Sequence, residues 1–306
     1  MAVSDNTRGI LYMAIAMATF TVNDTLMKLA TKVVPLSEAI ALRGVMSLLA
    51  LLVLARMMKV PSLRIAPSDR GLLGLRTFAE LGGTITFLLA LQQMPLANLS
   101  AIMQSLPLAV TLGAALIMGE AVGWRRMTAI LIGFGGVLLI VRPGTDGFNI
   151  WAMLAILSVA FVVMRDLVTR RFSNALPSVT IAIYTSIGVT TMGFAGFALE
   201  PWIAVSLREF LLLAGASAGL IAGYLFIVMA MRVGDVAIVA PFRYSALLWA
   251  IGFGWLVFGD FPRVLTLIGA AIVVATGLYT YLREHQLHRR LNLSKAALTK
   301  GAPPNH

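Results

Sequence analysis

The chain has 306 residues, of which 59% are hydrophobic and only 12% are charged. A soluble domain carries about 25% charged residues, so this composition excludes an ordinary water-soluble fold and indicates a protein that crosses the membrane several times. The net charge of +11 comes from basic residues spread over short loops rather than gathered in one patch, so it does not indicate a nucleic-acid partner.

Ten apolar runs follow one another along the chain, each long enough at about 20 residues to cross a bilayer as a helix. Prolines stand at many of the junctions between them, as expected for a residue that cannot continue a helix. The ten predicted spans cover residues 8–30, 37–57, 70–92, 95–118, 123–141, 149–169, 177–198, 208–230, 235–258 and 263–282.

The basic residues predict the orientation of these spans. If the N-terminus is cytoplasmic, the inside segments hold 15 lysines and arginines and the outside segments hold 5. Cytoplasmic loops of membrane proteins carry such an excess of positive charge. We therefore expect a multi-pass protein of a bacterial-type inner (plasma) membrane with both termini in the cytoplasm.

The second half of the sequence repeats the first. The two copies cover residues 8–142 and 149–283, and a basic cytoplasmic tail is predicted for residues 284–306. Each copy contains five spans, and an odd number of crossings turns the second copy upside down, as in many secondary transporters. Corresponding residues lie 142, 140 and then 136 positions apart along the repeat, as in Asp24 with Asp166, Lys28 with Arg170, Gly119-Glu120 with Gly259-Asp260, and Gly133 with Gly269.

Several kinds of chemistry are missing from the sequence. There is no cysteine, and the three histidines, His285, His288 and His306, all lie in the predicted tail. A thiolate or histidine metal site inside the membrane is therefore excluded. No glycine-rich loop ending in Gly-Lys-Ser/Thr is present, which argues against ATP as the direct energy source. We expect no cofactor, no metal and no enzymatic activity.

Two further patterns accompany the repeat. Ala90 and Ala97 recur as Ala230 and Ala237, and Arg142-Pro143-Gly144 joins the two copies. With the duplicated five-helix unit and the Gly-acid pairs that close its fourth helix, these patterns resemble the drug/metabolite transporter superfamily, specifically the ten-helix EamA family. The resemblance covers about residues 8–283. It implies an all-α membrane protein with two inverted five-helix repeats around a central cavity.

Charged residues deep in the membrane indicate a pairing or a functional role, because each costs about 2.5–3.5 kcal/mol on insertion scales. Glu80 is the deepest, near the middle of the third span, and its counterpart in the second copy is apolar. Arg76 lies one turn earlier on the same helix face. The pair either holds helices together as a salt bridge or lines the cavity and handles a charged substrate or a proton.

Two charged clusters are predicted to lie on opposite faces of the membrane. Asp24 and Arg43 belong to the first copy, and Arg165 and Asp166 belong to the second. We interpret them as gate residues whose ion pairs form and break as the repeats move, with interfacial snorkelling as the alternative. For Lys28 and Arg170, at span ends, the sequence favours snorkelling.

Additional substrate-binding residues are expected in the fourth and ninth spans. Pro107 bends the fourth span close to Gln104, and Arg243 and Tyr244 occupy the corresponding place in the ninth. The guanidinium of Arg243 matches a carboxylate or can pair with an acidic residue of the protein. Polar or aromatic side chains that complete the predicted binding set are Asn23, Tyr224 and Trp249.

The sequence thus predicts a secondary transporter that moves a small polar metabolite across the inner membrane by alternating access. The family resemblance makes amino-acid export the first expectation, with aromatic amino acids among the substrates. Proton coupling through Glu80 and facilitated transport both remain open. The alternatives are uptake of a vitamin or nucleoside-like cofactor, a passive channel, and an intramembrane enzyme that acts on lipid.

Overall fold

A computed structural model describes residues 4–59, 64–143, 149–173 and 177–300. Within these ranges the chain consists of α-helices, short connections and two short 3-10 segments, Gly196–Ala198 and Ala240–Tyr244. The helices are α1 (Asp5–Ala30), α2 (Leu36–Met57), α3 (Pro67–Gln93), α4 (Leu96–Met103), α5 (Leu106–Met118), α6 (Trp124–Val141), α7 (Ile150–Thr169), α8 (Ser178–Ala195), α9 (Leu207–Val233), α10 (Val236–Val239), α11 (Ser245–Phe258) and α12 (Val264–Lys300).

The helices agree with nine of the ten predicted spans to within a few residues, apart from the C-terminal end of α12. Nine stretches of the described chain are long and apolar enough to cross a membrane, and the fourth of them, Leu96–Met118, joins α4 and α5. The ninth predicted span is divided among α10, a 3-10 segment and α11, so none of its pieces reaches full length. α12 extends past the predicted tenth span to Lys300, into the expected tail, and residues 301–306 lie outside the described ranges.

Proline and glycine set the ends of several helices, for opposite reasons. Pro35, Pro95 and Pro177 each occupy the position just before a helix begins, where the missing backbone N–H does no harm. Gly119 and Gly259 end α5 and α11 with φ angles of 69° and 70°, a left-handed conformation that costs glycine little. This confirms the sequence prediction that the two equivalent glycines close the fourth and ninth spans.

The main helix contacts are symmetric: if each helix is replaced by its counterpart in the other half, the same set of contacts results. α1 packs along α9 and α3 packs along α7, and exchange of the halves converts one pair into the other. α2 packs against α8, and α6 packs against α12, and each of these pairs is converted into itself. A two-fold relation between the repeats predicts this pattern, and the inverted repeat stays a prediction from the odd number of spans in each copy.

The crossing of α6 and α12 shows the same relation at the level of residues. A Cβ atom at Gly269 would lie 2.5 Å from the carbonyl oxygen of Gly136, so the two backbones touch. Gly133 faces Thr276 and Gly269 faces Ile140, and the 136-residue offset found in the sequence converts one contact into the other. Close packing of small residues replaces the hydrophobic effect as the force that joins helices in lipid.

The fourth and ninth spans are interrupted at equivalent places. α4 ends at Met103 and α5 begins at Leu106, with Pro107 as its second residue. Proline cannot donate to the carbonyl oxygen four residues earlier, which explains the predicted break. In the ninth span the 3-10 segment Ala240–Tyr244 contains Pro241 and precedes α11.

Candidate functional site

A cavity of about 590 Å³ lies between helices of both halves. Eight spans line it, and α6 and α12 contribute none of the described lining residues, because they pack on each other outside the ring. Most of the wall is apolar, with six charged side chains set into it. These are Asp24, Arg43, Arg76, Glu80, Arg165 and Arg243.

Glu80 lies between two arginines from different halves of the protein. One of its carboxylate oxygens is 3.8 Å from Arg76, one turn away on α3, and the other is 3.5 Å from Arg165 on α7. Arg165 also contacts Asp166 at 2.9 Å. About a quarter of each side chain of the Glu80–Arg165 pair is exposed to the cavity. This network joins the two halves and faces the space where a solute would bind.

Arg76 is held by more than its acidic partner. Its Nε donates to the hydroxyl of Thr169 at 3.0 Å, and a terminal nitrogen donates to the hydroxyl of Thr185 at 2.5 Å. These threonines come from α7 and α8, so Arg76 fastens α3 to two helices of the other half. Neither threonine stands out in the sequence, because a lone hydroxyl in an apolar helix gives no distinctive signal.

A second polar chain runs from α1 to α2. The guanidinium of Arg43 donates to the side-chain oxygen of Asn23 at 3.3 Å, and the Asn23 amide donates to Asp24 at 2.9 Å. Arg43 is also close enough to Asp24 and Glu80 for electrostatic attraction to both. The predicted gate residues Asp24 and Arg43 therefore line the same cavity as Arg165, and their gating role stays a prediction.

Arg243 differs from the other arginines of the cavity. Among the described residues, no hydrogen bond or ion pair joins its guanidinium to another side chain or to the backbone. The break in the fourth span lies nearby, since the side-chain amide of Gln104 donates to the carbonyl oxygen of Tyr244 at 3.3 Å. Gln104 and Tyr224 also line the cavity, as the sequence analysis expected of them.

Three residues of the predicted set do not line the cavity. The hydroxyl of Tyr244 points at Gly277 of α12, and the indole N–H of Trp249 donates to the carbonyl oxygen of Ala14 at 3.2 Å. Asp166 stays beside Arg165 but is not among the described lining residues. The described residues also contain no group of three or more histidine or acidic side chains that could hold a metal ion.

Lys28 corrects the snorkelling interpretation. Only 7% of this residue is exposed, and its ammonium donates to the backbone carbonyl oxygens of Leu91 at 2.7 Å and Met94 at 2.5 Å. Arg170, its counterpart, has an exposed side chain 3.5 Å from Glu120. Equivalent residues of the two copies thus occupy different environments.

Comparison with known proteins decides the family. Residues 7–142 match the sequence model of the EamA-like transporter family. A riboflavin transporter of Vibrio cholerae is 30% identical to this chain over 218 residues, which cover 71% of this chain and 73% of that transporter. The chain belongs to the EamA-like transporter family. It is therefore a multi-pass membrane protein of the drug/metabolite transporter type, and the relatives named here transport small molecules.

Other relatives of this EamA-like chain differ in substrate and direction. A pseudopaline exporter, CntI, of Pseudomonas aeruginosa (strain UCBPP-PA14) is 27% identical over 87% of this chain and 93% of the exporter. An S-adenosylmethionine uptake transporter of Rickettsia prowazekii is 27% identical over 62% and 64%. One crystal structure has the same fold, with a TM-score of 0.63, 20% identity, and coverage of 91% of this chain and 98% of the other.

Proposed function

We propose that this EamA-like transporter is a secondary carrier that exports amino acids or closely similar metabolites across the inner membrane by alternating access. The observation that carries the proposal is the cavity between the two halves. Its volume of about 590 Å³ falls in the range of about 300–1,000 Å³ typical of small-molecule sites. Apolar walls around a few charged groups suit a small solute with an apolar side chain, aromatic amino acids included.

The direction of transport is supported by the pseudopaline exporter, which is similar over most of both chains. A carrier rather than a passive channel is supported by the relatives, which are an exporter and uptake transporters. Rigid movement of one repeat against the other, around a site at their interface, is the common route to alternating access.

Counterflow in proteoliposomes tests the proposal. Vesicles loaded with an unlabelled amino-acid mixture are challenged with single labelled amino acids, and protein-free vesicles serve as the control. We expect saturable uptake of one chemical group that depends on the internal pool. Uptake that does not depend on the internal solute would indicate a channel. A parallel series with an imposed pH gradient measures proton coupling.

A second candidate function is uptake of a vitamin or nucleoside-like cofactor. The riboflavin and S-adenosylmethionine transporters among the relatives favour it. The wall also offers aromatic side chains for stacking, those of Phe20, Phe87 and Tyr224. Labelled riboflavin and labelled S-adenosylmethionine are therefore included in the same counterflow panel. Exchange of either one, without exchange of any amino acid, would replace the first proposal with this one.

A further inference from the structure

The charges around the cavity do not balance. With Asp166 counted beside its partner Arg165, three carboxylates stand against four arginines. Glu80 contacts two of these arginines, Asp166 contacts one, and Asp24 lies near Arg43. Every acidic group is therefore already beside a cation of the protein, and the surplus positive charge is at Arg243.

Arg243 belongs to the interrupted part of the ninth span. It lies in the 3-10 segment that runs directly into α11, and it lines the cavity between the two halves. Secondary transporters commonly form their substrate and ion sites from interrupted spans of this kind.

We infer that Arg243 is the subsite for a carboxylate of the transported solute, and that the substrate class is carboxylates, either anions or zwitterions recognised through their acidic end. A guanidinium binds the two oxygens of a carboxylate through parallel hydrogen bonds, which a neutral amide cannot reproduce. This inference rests on the proposed function and refines it. Glu80 is not assigned to a substrate ammonium, since it already contacts two arginines.

Thermal unfolding of the purified protein in detergent tests the subsite without transport. The probes are pairs of an acid and its amide, beginning with phenylalanine and phenylalaninamide and continuing with the other amino acids. We expect wild-type protein to bind one acid at least about ten-fold more tightly than its amide, since a charge-assisted pair is about twice as strong as a neutral hydrogen bond. Arg243→Gln should abolish this preference, and Arg243→Lys should keep part of it.

The matched control is Arg263→Gln, because Arg263 is an exposed arginine at the start of α12 and does not line the cavity. It should keep the full preference for the acid. The subsite is refuted if no acid binds wild-type protein more tightly than its amide, or if Arg243→Gln keeps the preference. Failure of the proposed function looks different, because acids would then stabilise the protein while no amino acid undergoes counterflow.

Residues that the repeat makes equivalent are buried on one face of the bundle and exposed on the other. Leu96 is 2% exposed and its counterpart Val236 is 48% exposed. Met27 is fully buried, whereas its counterpart Thr169 is exposed. The bundle is therefore closed on the face where α1 and α3 end, and open on the face where α7 ends.

Lys28 holds the closed face together. Its ammonium donates to the last carbonyl groups of α3, which have no partner within their own helix. It also lies 5.5 Å from the ring centre of Phe258, at the end of α11, and is attracted by Asp260 just beyond. A single side chain thus joins the ends of three spans, which come from both halves.

Arg170 corresponds to Lys28 in the repeat, but its guanidinium bonds to a side chain rather than to the carbonyl groups at a helix end. It pairs with Glu120, the counterpart of Asp260, and both side chains are about half exposed, at 49% and 50%. The carbonyl groups at the end of α9, equivalent to those bound by Lys28, lie on the open face. We propose that Lys28 and Arg170 are alternating latches, each of which caps the end of the facing helix when its own face closes.

The absence of cysteine from the sequence allows a direct test by labelling. Leu96→Cys reports on the closed face and Val236→Cys reports on the open one. When Lys28 is intact, a membrane-impermeant maleimide added in detergent should label the Val236→Cys variant and leave the Leu96→Cys variant unlabelled. Adding Lys28→Met should raise labelling at position 96 about ten-fold and lower it at position 236, since a lost charged hydrogen bond changes an equilibrium by about that factor.

Lys32→Met is the matched control, because Lys32 lies 5.1 Å from the centre of the same Phe258 ring and is exposed. It should change labelling at neither position. Increased labelling at both positions in the Lys28→Met background would indicate local unfolding and would overturn the latch, as would unchanged labelling at position 96.

Discussion

Replacement of Glu80 by glutamine separates the two interpretations of the charge network. The carboxylate lies 3.5 Å from Arg165 and 3.8 Å from Arg76. At an effective dielectric constant of about 20, each contact corresponds to about 4–5 kcal/mol of gross attraction. Desolvation, repulsion between the arginines and screening by cavity water offset most of it, so the net coupling between Glu80 and Arg165 should be about 1–3 kcal/mol.

A double-mutant cycle measures this coupling. The proteins are wild type, Glu80→Gln, Arg165→Gln and the double variant, each unfolded reversibly in mixed detergent micelles. If the double variant loses as much stability as the sum of the two single variants, the network does not hold the halves together. Counterflow with the same proteins adds the functional answer. A raised KM at unchanged stability would place Glu80 in substrate binding, whereas lost stability at unchanged KM would make it structural.

Two further predictions concern packing and the limits of the site. Gly136→Ala should lower the free energy of unfolding by about 1–3 kcal/mol, because its Cβ would lie 2.7 Å from the carbonyl oxygen of Gly269. The neighbouring Gly135→Ala has open space and should not lower it; equal losses would contradict the close crossing. Trp249→Phe should leave the KM of transport unchanged, since its indole bonds to Ala14, and a raised KM would return Trp249 to the binding site.

The spans and their closing glycines could be predicted because they depend on local properties of the chain. A run of apolar residues has to cross the bilayer as a helix, since no other open structure satisfies the backbone in lipid. Gly119 and Gly259 were recognised through the repeat, and their positive φ angles explain why glycine stands at both positions. The break in the ninth span was missed, although Pro241 marks it, and so was the continuation of α12 to Lys300.

The direction of individual side chains could not be predicted as well. A 3-10 segment turns by about 120° per residue and an α-helix by about 100°, so five residues of 3-10 helix shift the following face by about 100°. Tyr244 and Trp249 lie in and after such a segment, which explains why neither is among the described residues that line the cavity. Glu80 and Arg76 lie in an uninterrupted helix and both line the cavity, and their role in substrate binding stays a prediction.

The burial of Lys28 also could not be predicted from the sequence. A lysine at the end of a span is inexpensive in lipid because it reaches water, and this argument applies equally to Arg170. What distinguishes the two residues is the state of the bundle, since one face is packed and the other is open. A single sequence describes both states of a transporter, whereas a structure shows one of them.

Exchange of the two halves divides the contacts of this bundle into two classes. The α2–α8 pair and the α6–α12 crossing are each converted into themselves, so they can persist while the cavity changes face. The bonds from Lys28 to the carbonyl groups at the end of α3 are converted into bonds from Arg170 to the end of α9, and the described residues show only the first set. Transport by alternating access would then keep the first class as a fixed axis and exchange the second. The free-energy difference between the two states would depend on how much better a buried lysine caps α3 than an arginine caps α9.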